Sequence, residues 1–224
     1  NLGNPMKRVV ISDLHIGSKY SKEEKLIEFL QSLECDELIL AGDIIDFIKV
    51  PSFTEHSGAL FKLLDNFENK IVYIIGNHDI SFKKSNGLEV FGVCFCHEYN
   101  FTSGGKTYRV EHGDKYEKGI IHWNLIMNII SIFQDLIERW WDINLTKWFH
   151  SLSVKKRKLR RIWDIIQWND DVDVLIIGHT HTPEVLIWVD KNENIRTYVN
   201  CGDWVQNCTY VTIEDGVTRL KSWT

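Results

Sequence analysis

Aspartate, asparagine and histidine residues recur directly after five apolar segments of this sequence. The segments are followed by DLH (13–15), GDIID (42–46), GNHD (76–79), EHGD (111–114) and GHTH (178–181). Carboxylates, an amide carbonyl and imidazoles form a donor set of oxygen and nitrogen without thiolate, which suits Mn²⁺, Fe²⁺ or Zn²⁺. The donors are too many for one tetrahedral ion, which indicates two ions that share a bridging carboxylate. A two-metal site of this kind is typical of enzymes that catalyse displacement at phosphorus.

Each of these short motifs, taken alone, has an ordinary structural explanation. Asp46 alone fits a helix cap, and His112 alone fits a surface position. Five such motifs at the ends of successive apolar segments are better explained by one shared site.

The apolar segments in the first half of the chain are predicted to be strands of an α/β fold. RVVIS (8–12), ELILA (37–41) and IVYII (71–75) alternate with two predicted helices. One helix opens with a capping-box pattern at 21–24, and the other lies around 58–67. This alternation favours a largely parallel central sheet. Because ligands bind beyond the carboxyl ends of such strands, we expect the five motifs to converge at one rim.

The second half of the chain predicts antiparallel strands and a second sheet. Residues 91–101 and 106–112 are expected to form a hairpin through Ser103, Gly104 and Gly105. Further strands are predicted at 172–177, 185–190, 195–200 and within 210–223.

Residues 116–168 interrupt this pattern with a long helical periodicity and contain six of the nine tryptophans. Polar residues break the apolar run too often for a transmembrane helix. A dense basic run follows at 155–161. The segment fits either a peripheral membrane surface, where basic residues meet anionic head groups, or a helical module that packs its tryptophans on itself. We therefore divide the chain into a core, residues 6–115 and 169–224, and a helical insertion, residues 116–168.

The composition is that of a folded globular protein. A chain of 224 residues with 44% hydrophobic and 25% charged residues has room for one sizeable core and at most a small second module. The net charge of −5 argues against nucleic-acid binding over the whole surface. Five cysteines without paired CxxC motifs argue against a zinc ribbon and favour a reduced, cytoplasmic location.

The five motifs, in this order, resemble the calcineurin-like metallophosphoesterase superfamily. The resemblance spans most of the chain and implies an α/β fold, a β-sandwich flanked by helices, with a two-metal site at the edge of the sandwich. It implies two ligand sets that share Asp43 as the bridge: Asp13, His15, Asp43 and His181 for one ion, and Asp43, Asn77, His112 and His179 for the other.

The resemblance also implies roles for residues beside the ligands. His78 would contact the phosphoryl group or protonate the leaving oxygen. Asp46 and Asp79 would orient the histidines. Two divalent ions are the expected cofactors, with Mn²⁺ as the first choice and Fe or Zn as the alternatives.

Two sequence features are similar to the UDP-2,3-diacylglucosamine pyrophosphatase branch, which acts in lipid A synthesis. These are the proline in GHTHTP (178–183) and the segment NCGDWVQNCTYVTI (200–213), together with the insertion after EHGD. This branch implies a nucleotide-linked lipid as substrate, with the insertion 116–168 as a substrate-binding lid and as a peripheral contact with the inner membrane. The best-known members carry Arg where this chain has His78, so a general phosphodiesterase or phosphatase of the superfamily is the alternative.

Two further functional classes, a non-catalytic scaffold and a nuclease, are less consistent with the sequence than a phosphoesterase. A non-catalytic scaffold on this fold is expected to have lost ligands, whereas this chain has a candidate at every ligand position. A nuclease is disfavoured by the acidic net charge, although the basic run at 155–161 fits a local nucleic-acid patch.

Overall fold

The computed structural model describes residues 6–48, 51–90, 92–116, 162, 165–167 and 169–224. The chain divides into two compact units, one formed by Asn1–Asp114 with Asp171–Thr224 and the other by Lys115–Asp170. Most of the predicted insertion, including its tryptophans and its basic run, lies outside the described residues, so its helical structure stays a prediction. Among the described residues, no helix has the length and apolar character needed to cross a bilayer.

The described residues include two helices with defined bounds, two short 3₁₀ helices and the strands of two sheets. The helices are α1 (Glu23–Ser32) and α2 (Glu55–Asp65), and the 3₁₀ helices are Ile80–Ser85 and Asp114–Tyr116. The strands are β1 (Arg8–Ile11), β2 (Glu37–Ala41), β3 (Lys70–Ile74), β4 (Glu89–Val90), β5 (Val93–Cys96), β6 (Glu98–Ser103), β7 (Lys106–Glu111), β8 (Val174–Ile177), β9 (Glu184–Val189), β10 (Ile195–Asn200), β11 (Thr209–Glu214) and β12 (Val217–Ser222).

The first sheet has the order β12-β11-β1-β2-β3-β5-β4. Its centre is parallel, as the alternation of strands and helices predicts, because β1, β2, β3 and β5 pair in parallel. Strand β1 is buried on both faces. Val9 and Ile11 pack in the cluster shared with the helices, and Val10 packs in the cluster shared with the second sheet. Burial on both faces explains the continuous apolar runs in the sequence.

The second sheet has the order β6-β7-β8-β10-β9. The antiparallel pairing predicted for this half of the chain is wrong at the centre of the sheet, where β7, β8 and β10 are parallel to one another. It is confirmed at the edges, where β6 and β9 pair antiparallel. The core between the two sheets includes Ile39 and Val72 from the first sheet and Val110 and Ile176 from the second. The result is a mixed α/β sandwich with helices on the first sheet, as expected from the sequence.

Two further predictions about the strands are wrong in detail. The predicted strand 91–101 is divided at His97, so that β5 belongs to the first sheet and β6 to the second. The C-terminal hairpin β11–β12 joins the first sheet rather than the second, because β11 pairs antiparallel with β1. Both differences arise from pairings between distant segments, which local periodicity does not specify.

The predicted capping box at 21–24 is also wrong. The Ser21 hydroxyl donates to the carbonyl of Leu14 at 2.7 Å, and α1 begins at Glu23 without a side-chain cap. A capping box is present instead at the start of α2, between Thr54 and Ser57. The buried Glu23 carboxylate accepts from the Ser57 hydroxyl at 2.9 Å and from the backbone N–H of Gly17 at 3.1 Å. Glu23 therefore ties the loop after β1 to the first turn of α2.

The parallel strands of both sheets position the polar motifs. In the first sheet, the motifs follow the carboxyl ends of β1, β2 and β3, and in the second sheet they follow β7 and β8. The two sets of strand ends meet, because the His179 backbone N–H donates to Asp13 Oδ2 at 2.9 Å. The ring nitrogen Nδ1 of His112 likewise lies 3.0 Å from the carbonyl oxygen of Ala41.

Candidate metal centre

Three side chains from two sheets form a first cluster of ligand atoms: Asp13, His15 and His181. The Nε2 atoms of His15 and His181 lie 3.9 and 3.2 Å from Asp13 Oδ1, and 3.4 Å from each other. Asp13 is completely buried, and its Oδ1 atom accepts no hydrogen bond of good geometry from the described residues. Its Oδ2 atom is held by the Ser12 hydroxyl at 2.5 Å. Oδ1 is thus the atom left to bind a cation, together with two imidazoles.

A second cluster combines Asp43, His112 and His179. The Nε2 atom of His112 lies 3.2 Å from Asp43 Oδ2 and 3.1 Å from Asn77 Oδ1, so the asparagine carbonyl faces the same space. The Nδ1 atom of His112 lies 3.0 Å from the carbonyl oxygen of Ala41. Because a carbonyl only accepts, Nδ1 carries the proton, and Nε2 of the neutral ring has its lone pair for a metal ion.

Asp43 belongs to two clusters, because it also lies with His15 and His78 in a third group of ligand atoms. The Asp43 side chain is 2% exposed, and its Oδ1 atom accepts the backbone N–H of His78 at 2.8 Å. The third group shares His15 with the first cluster and Asp43 with the second. Asp43 is therefore the carboxylate through which the two clusters are linked.

The structure places His78 beside the clusters, in contact with solvent. Its side chain is 25% exposed, and its Nδ1 atom lies 2.8 Å from Asp46 Oδ1. Its Nε2 atom lies 3.8 Å from Asp43 Oδ2. Burial by itself lowers the pKa of His78, but the hydrogen bond to Asp46 and the charge of Asp43 raise it above the ordinary histidine value. Asp46 also lies 4.0 Å from His15 Nδ1, which is the arrangement expected of a residue that orients histidines.

Asp79 makes different contacts from those expected of it. It is completely buried, and its carboxylate accepts the backbone N–H groups of Asp43 at 2.8 Å and of Gly76 at 3.0 Å. It also accepts the Tyr73 hydroxyl at 2.7 Å and the backbone N–H groups of two further residues, Ile44 and Ile45. These contacts are with backbone N–H groups and a phenol rather than with a histidine. Asp79 therefore holds the backbone that carries Asp43.

Replacing Asp79 with alanine is expected to lower the free energy of unfolding by on the order of 3 kcal/mol, because several buried donors lose their acceptor at once. Urea unfolding in the presence of a chelator measures this effect without a contribution from bound metal. The control is Asp65→Ala, an exposed aspartate at the end of α2, for which we expect a change within about 0.5 kcal/mol. Equal stability of the two variants would contradict the role assigned to Asp79.

The backbone at the site is held in a conformation that side-chain-bearing residues seldom adopt. Positive φ values of 47° to 65° recur at five of the predicted ligands: Asp13, His15, Asp43, His179 and His181. Each such residue costs about 1–3 kcal/mol and persists only where the surrounding structure enforces it. This strain at successive strand ends is a feature of functional sites and is not visible in the sequence.

Two glycines of the motifs allow the strand ends to approach each other. A Cβ atom at Gly76 would collide with the backbone and carboxylate of Asp43, and one at Gly178 would collide with the side chains of Ser12 and Asp13. The glycines before Asn77 and His179 are therefore needed for close packing of one motif on another.

In the absence of a cation, the carboxylates of the site stabilise the protonated forms of two of its histidines. Burial by itself raises the pKa of Asp13, but His181 lowers it to about 2. Burial by itself lowers the pKa values of His112 and His181, but Asp43 raises the first to about 10 and Asp13 raises the second to about 9. A divalent cation would take the place of these protons, because ligating imidazoles must be neutral. The donor set and the orphaned Asp13 Oδ1 atom fit a divalent cation.

Several residues that support the ligands are not predicted from the sequence. Ser12 lies outside the five motifs, and Asn200, Asp203 and Asn207 lie in the segment 200–213, for which the sequence indicates no contact with the ligands. Asn200 ends strand β10, which is parallel to β8. The rule that located the other five motifs, polar residues after a buried strand, applies to this sixth strand end as well.

Comparisons with known proteins agree with this architecture. The family model of the calcineurin-like phosphoesterases matches residues 6–183, which is more than half of the chain. The chain belongs to the calcineurin-like phosphoesterase family. Members of this family depend on divalent metals and act on phosphoester bonds, so the protein is a hydrolase of that class.

Solved structures of other proteins are similar to this chain. Vacuolar protein sorting 29 from Cryptosporidium parvum is 15% identical, with 97% of this chain and 96% of that chain covered and a TM-score of 0.50. A novel archaeal phosphodiesterase is also 15% identical, with 96% of this chain and 99% of that chain covered and a TM-score of 0.44. A search of curated proteins finds no significant match. At these identities, the first likeness supports the fold alone.

Proposed function

We propose that this phosphoesterase binds two divalent ions, with Asp43 as the shared ligand. One ion would be held by Asp13, His15, Asp43 and His181, and the other by Asp43, Asn77, His112 and His179. The observation that carries the proposal is the convergence of these atoms in two clusters, which a third group links by sharing His15 with the first and Asp43 with the second. Carboxylate and imidazole ligation favours Mn²⁺, with Fe and Zn as alternatives.

When bound there, two divalent ions would polarise the phosphoryl group and lower the pKa of the attacking water. Residues of the chain would supply the proton for the leaving group. His78 is partly exposed and has a raised pKa, so it can donate a proton from Nε2 to the leaving oxygen near neutral pH. Asp46 holds the opposite ring nitrogen and so orients His78 for this step.

The substrate class is the finer part of the proposal. The similarity of segments 178–183 and 200–213 to the UDP-2,3-diacylglucosamine pyrophosphatases supports a nucleotide-linked lipid substrate, cleaved at its pyrophosphate near the inner membrane. His78, in place of the arginine of that branch, favours the alternative, a general phosphodiesterase or phosphatase that acts on a soluble nucleotide or ester. The predicted lid would bind the acyl chains in the first case only.

A substrate panel tests both levels of this proposal. We would measure Mn²⁺-dependent hydrolysis of bis-p-nitrophenyl phosphate, p-nitrophenyl phosphate, UDP-sugars and UDP-2,3-diacylglucosamine. Chelation is expected to abolish hydrolysis, and added Mn²⁺ is expected to restore it. Preference for the acylated UDP-sugar would support the lipid substrate, whereas hydrolysis of the simple esters alone would support the general phosphoesterase.

The same panel separates the lower-ranked classes. A protein that binds two ions and hydrolyses no member of the panel would contradict the proposed activity and favour the scaffold. Salt-sensitive binding and cleavage of an oligonucleotide would instead favour a nuclease.

A further inference from the structure

The segment between β10 and β11, residues 201–208, lies against the turn that carries two of the proposed ligands. Asn200, at the end of β10, is completely buried. Its side-chain amide donates to the carbonyl of Gly178 and to the Thr180 hydroxyl, both at 2.9 Å. Its carbonyl accepts the backbone N–H of Gly202 at 2.9 Å. Asn200 therefore joins this segment to the first half of the turn.

Asn207 makes the corresponding contact with the second half of the turn. Its side-chain amide donates to the backbone carbonyl of His181 at 3.0 Å and to Asp203 Oδ2 at 2.5 Å. Asp203 is completely buried, and its Oδ1 atom accepts the backbone N–H of Val205 at 2.7 Å. The asparagine amide is thus fixed between a rigid carboxylate and the backbone of a proposed ligand.

The geometry of His181 explains why such a contact matters. Its φ of 52° lies in the left-handed region, so its ring direction depends on a backbone conformation that the residue does not favour by itself. Its Nε2 atom faces Asp13 Oδ1 at 3.2 Å, and its Nδ1 atom lies 3.9 Å from Asp203 Oδ2. Release of the His181 carbonyl would let this backbone relax and turn the ring away from Asp13.

We propose that Asn207, braced by Asp203, is a positioning residue that holds His181 toward Asp13 and His15. The inference rests on the proposed two-metal centre. It assigns Asn207 to one ion only, because its contacts reach His181, whereas the second cluster is built from Asp43, His112 and His179. The segment 200–213 would thereby support the proposed metal centre.

The test is calorimetric titration of the metal-stripped full chain with Mn²⁺. The variant Asn207→Ala removes the amide, and Asn207→Leu removes it while keeping a similar volume. The control is Asn192→Ala, an exposed asparagine in the turn between β9 and β10. We expect two binding events in the wild type and the control. In both Asn207 variants, one event should weaken by about 10–100-fold while the other keeps its affinity.

Thermal unfolding of the metal-free variants separates positioning from general stability. We expect melting temperatures close to that of the wild type together with the selective loss at one ion. Equal weakening of both events with a lowered melting temperature would make Asn207 merely structural, and two unchanged events would remove it from the site. A wild type that binds no Mn²⁺ would refute the proposed metal centre itself, and the inference with it.

Discussion

Replacement of His78 with alanine is expected to lower kcat by ~10²–10⁴-fold while the metal content stays unchanged, because the variant loses a proton donor but no proposed ligand. The Nδ1 atom of His78 contacts Asp46 at 2.8 Å, and a quarter of the side chain is exposed to solvent. Its raised pKa keeps a larger fraction of the ring protonated near neutral pH. These features support the proposed role of His78 as a general acid.

The dependence on leaving group makes this test specific. A p-nitrophenolate ion leaves readily without a proton, whereas an alkoxide does not. We therefore expect His78→Ala to be slowed more on an alkyl phosphodiester than on bis-p-nitrophenyl phosphate. His97→Ala, at the exposed histidine between β5 and β6, should keep wild-type rates on both substrates.

Metal analysis of the same variant distinguishes the two roles that the geometry allows. His78 shares a group of ligand atoms with His15 and Asp43, so a ligand role would appear as loss of an ion from His78→Ala. That result would contradict the assignment as general acid, as would full activity on the alkyl ester.

Asp46→Asn provides a second check. Because Asp46 raises the pKa of His78, the Asp46→Asn variant should have a lower His78 pKa. The fall in kcat that accompanies deprotonation of His78 should therefore begin at a lower pH than in the wild type.

Replacement of Asp43 with asparagine is expected to remove both ions and to lower kcat/KM by on the order of 10³-fold or more, which corresponds to several kcal/mol of transition-state stabilisation. The amide keeps the size of the side chain and an acceptor for the backbone N–H of His78. It removes the negative charge beside His112 and the oxygen that faces the second cluster. The loss is therefore expected to arise from metal binding rather than from misfolding.

Elemental analysis after dialysis against Mn²⁺ decides between a bridge and a simple ligand. A bridging Asp43 predicts fewer than one ion per chain in Asp43→Asn, whereas Asp65→Asn at an exposed position should retain two. Retention of one full ion in Asp43→Asn would mean that Asp43 is a ligand of the lost ion only and does not bridge the two. Retention of both ions with normal activity would contradict the proposed centre.

The pattern of polar residues after apolar segments is by itself sufficient to predict the candidate site. A short apolar run predicts a buried strand, and the polar residues that follow it are adjacent in the sequence. The prediction of the site therefore depends on local sequence information alone. Asp13, Asp43, Asn77, His112 and His179 were found in this way, and the structure brings them to one edge of the sandwich. The glycines beside them are local signals as well, because close packing excludes any side chain there.

The supporting residues illustrate what local information leaves out. Asp79 stands in the same motif as Asn77, yet its carboxylate turns to Tyr73 and to the backbone around Asp43. Asn207 lies in a loop whose partner, His181, is distant in the sequence. Neither contact can be derived from residue type and spacing, because each depends on how two loops from different strands meet.

The sequence by itself determined the donor chemistry of this protein, the alternation of strands and helices, and the side of the sheet at which the donors appear. Only the tertiary structure decided which donors share a cluster and which asparagines hold them. It also decided that the backbone has a left-handed conformation at five of the ligands, Asp13, His15, Asp43, His179 and His181. The physical reason is that strand order and register are set by contacts between distant segments, which hydrophobic periodicity does not specify. A strained loop conformation is likewise stable only when the packed surroundings enforce it.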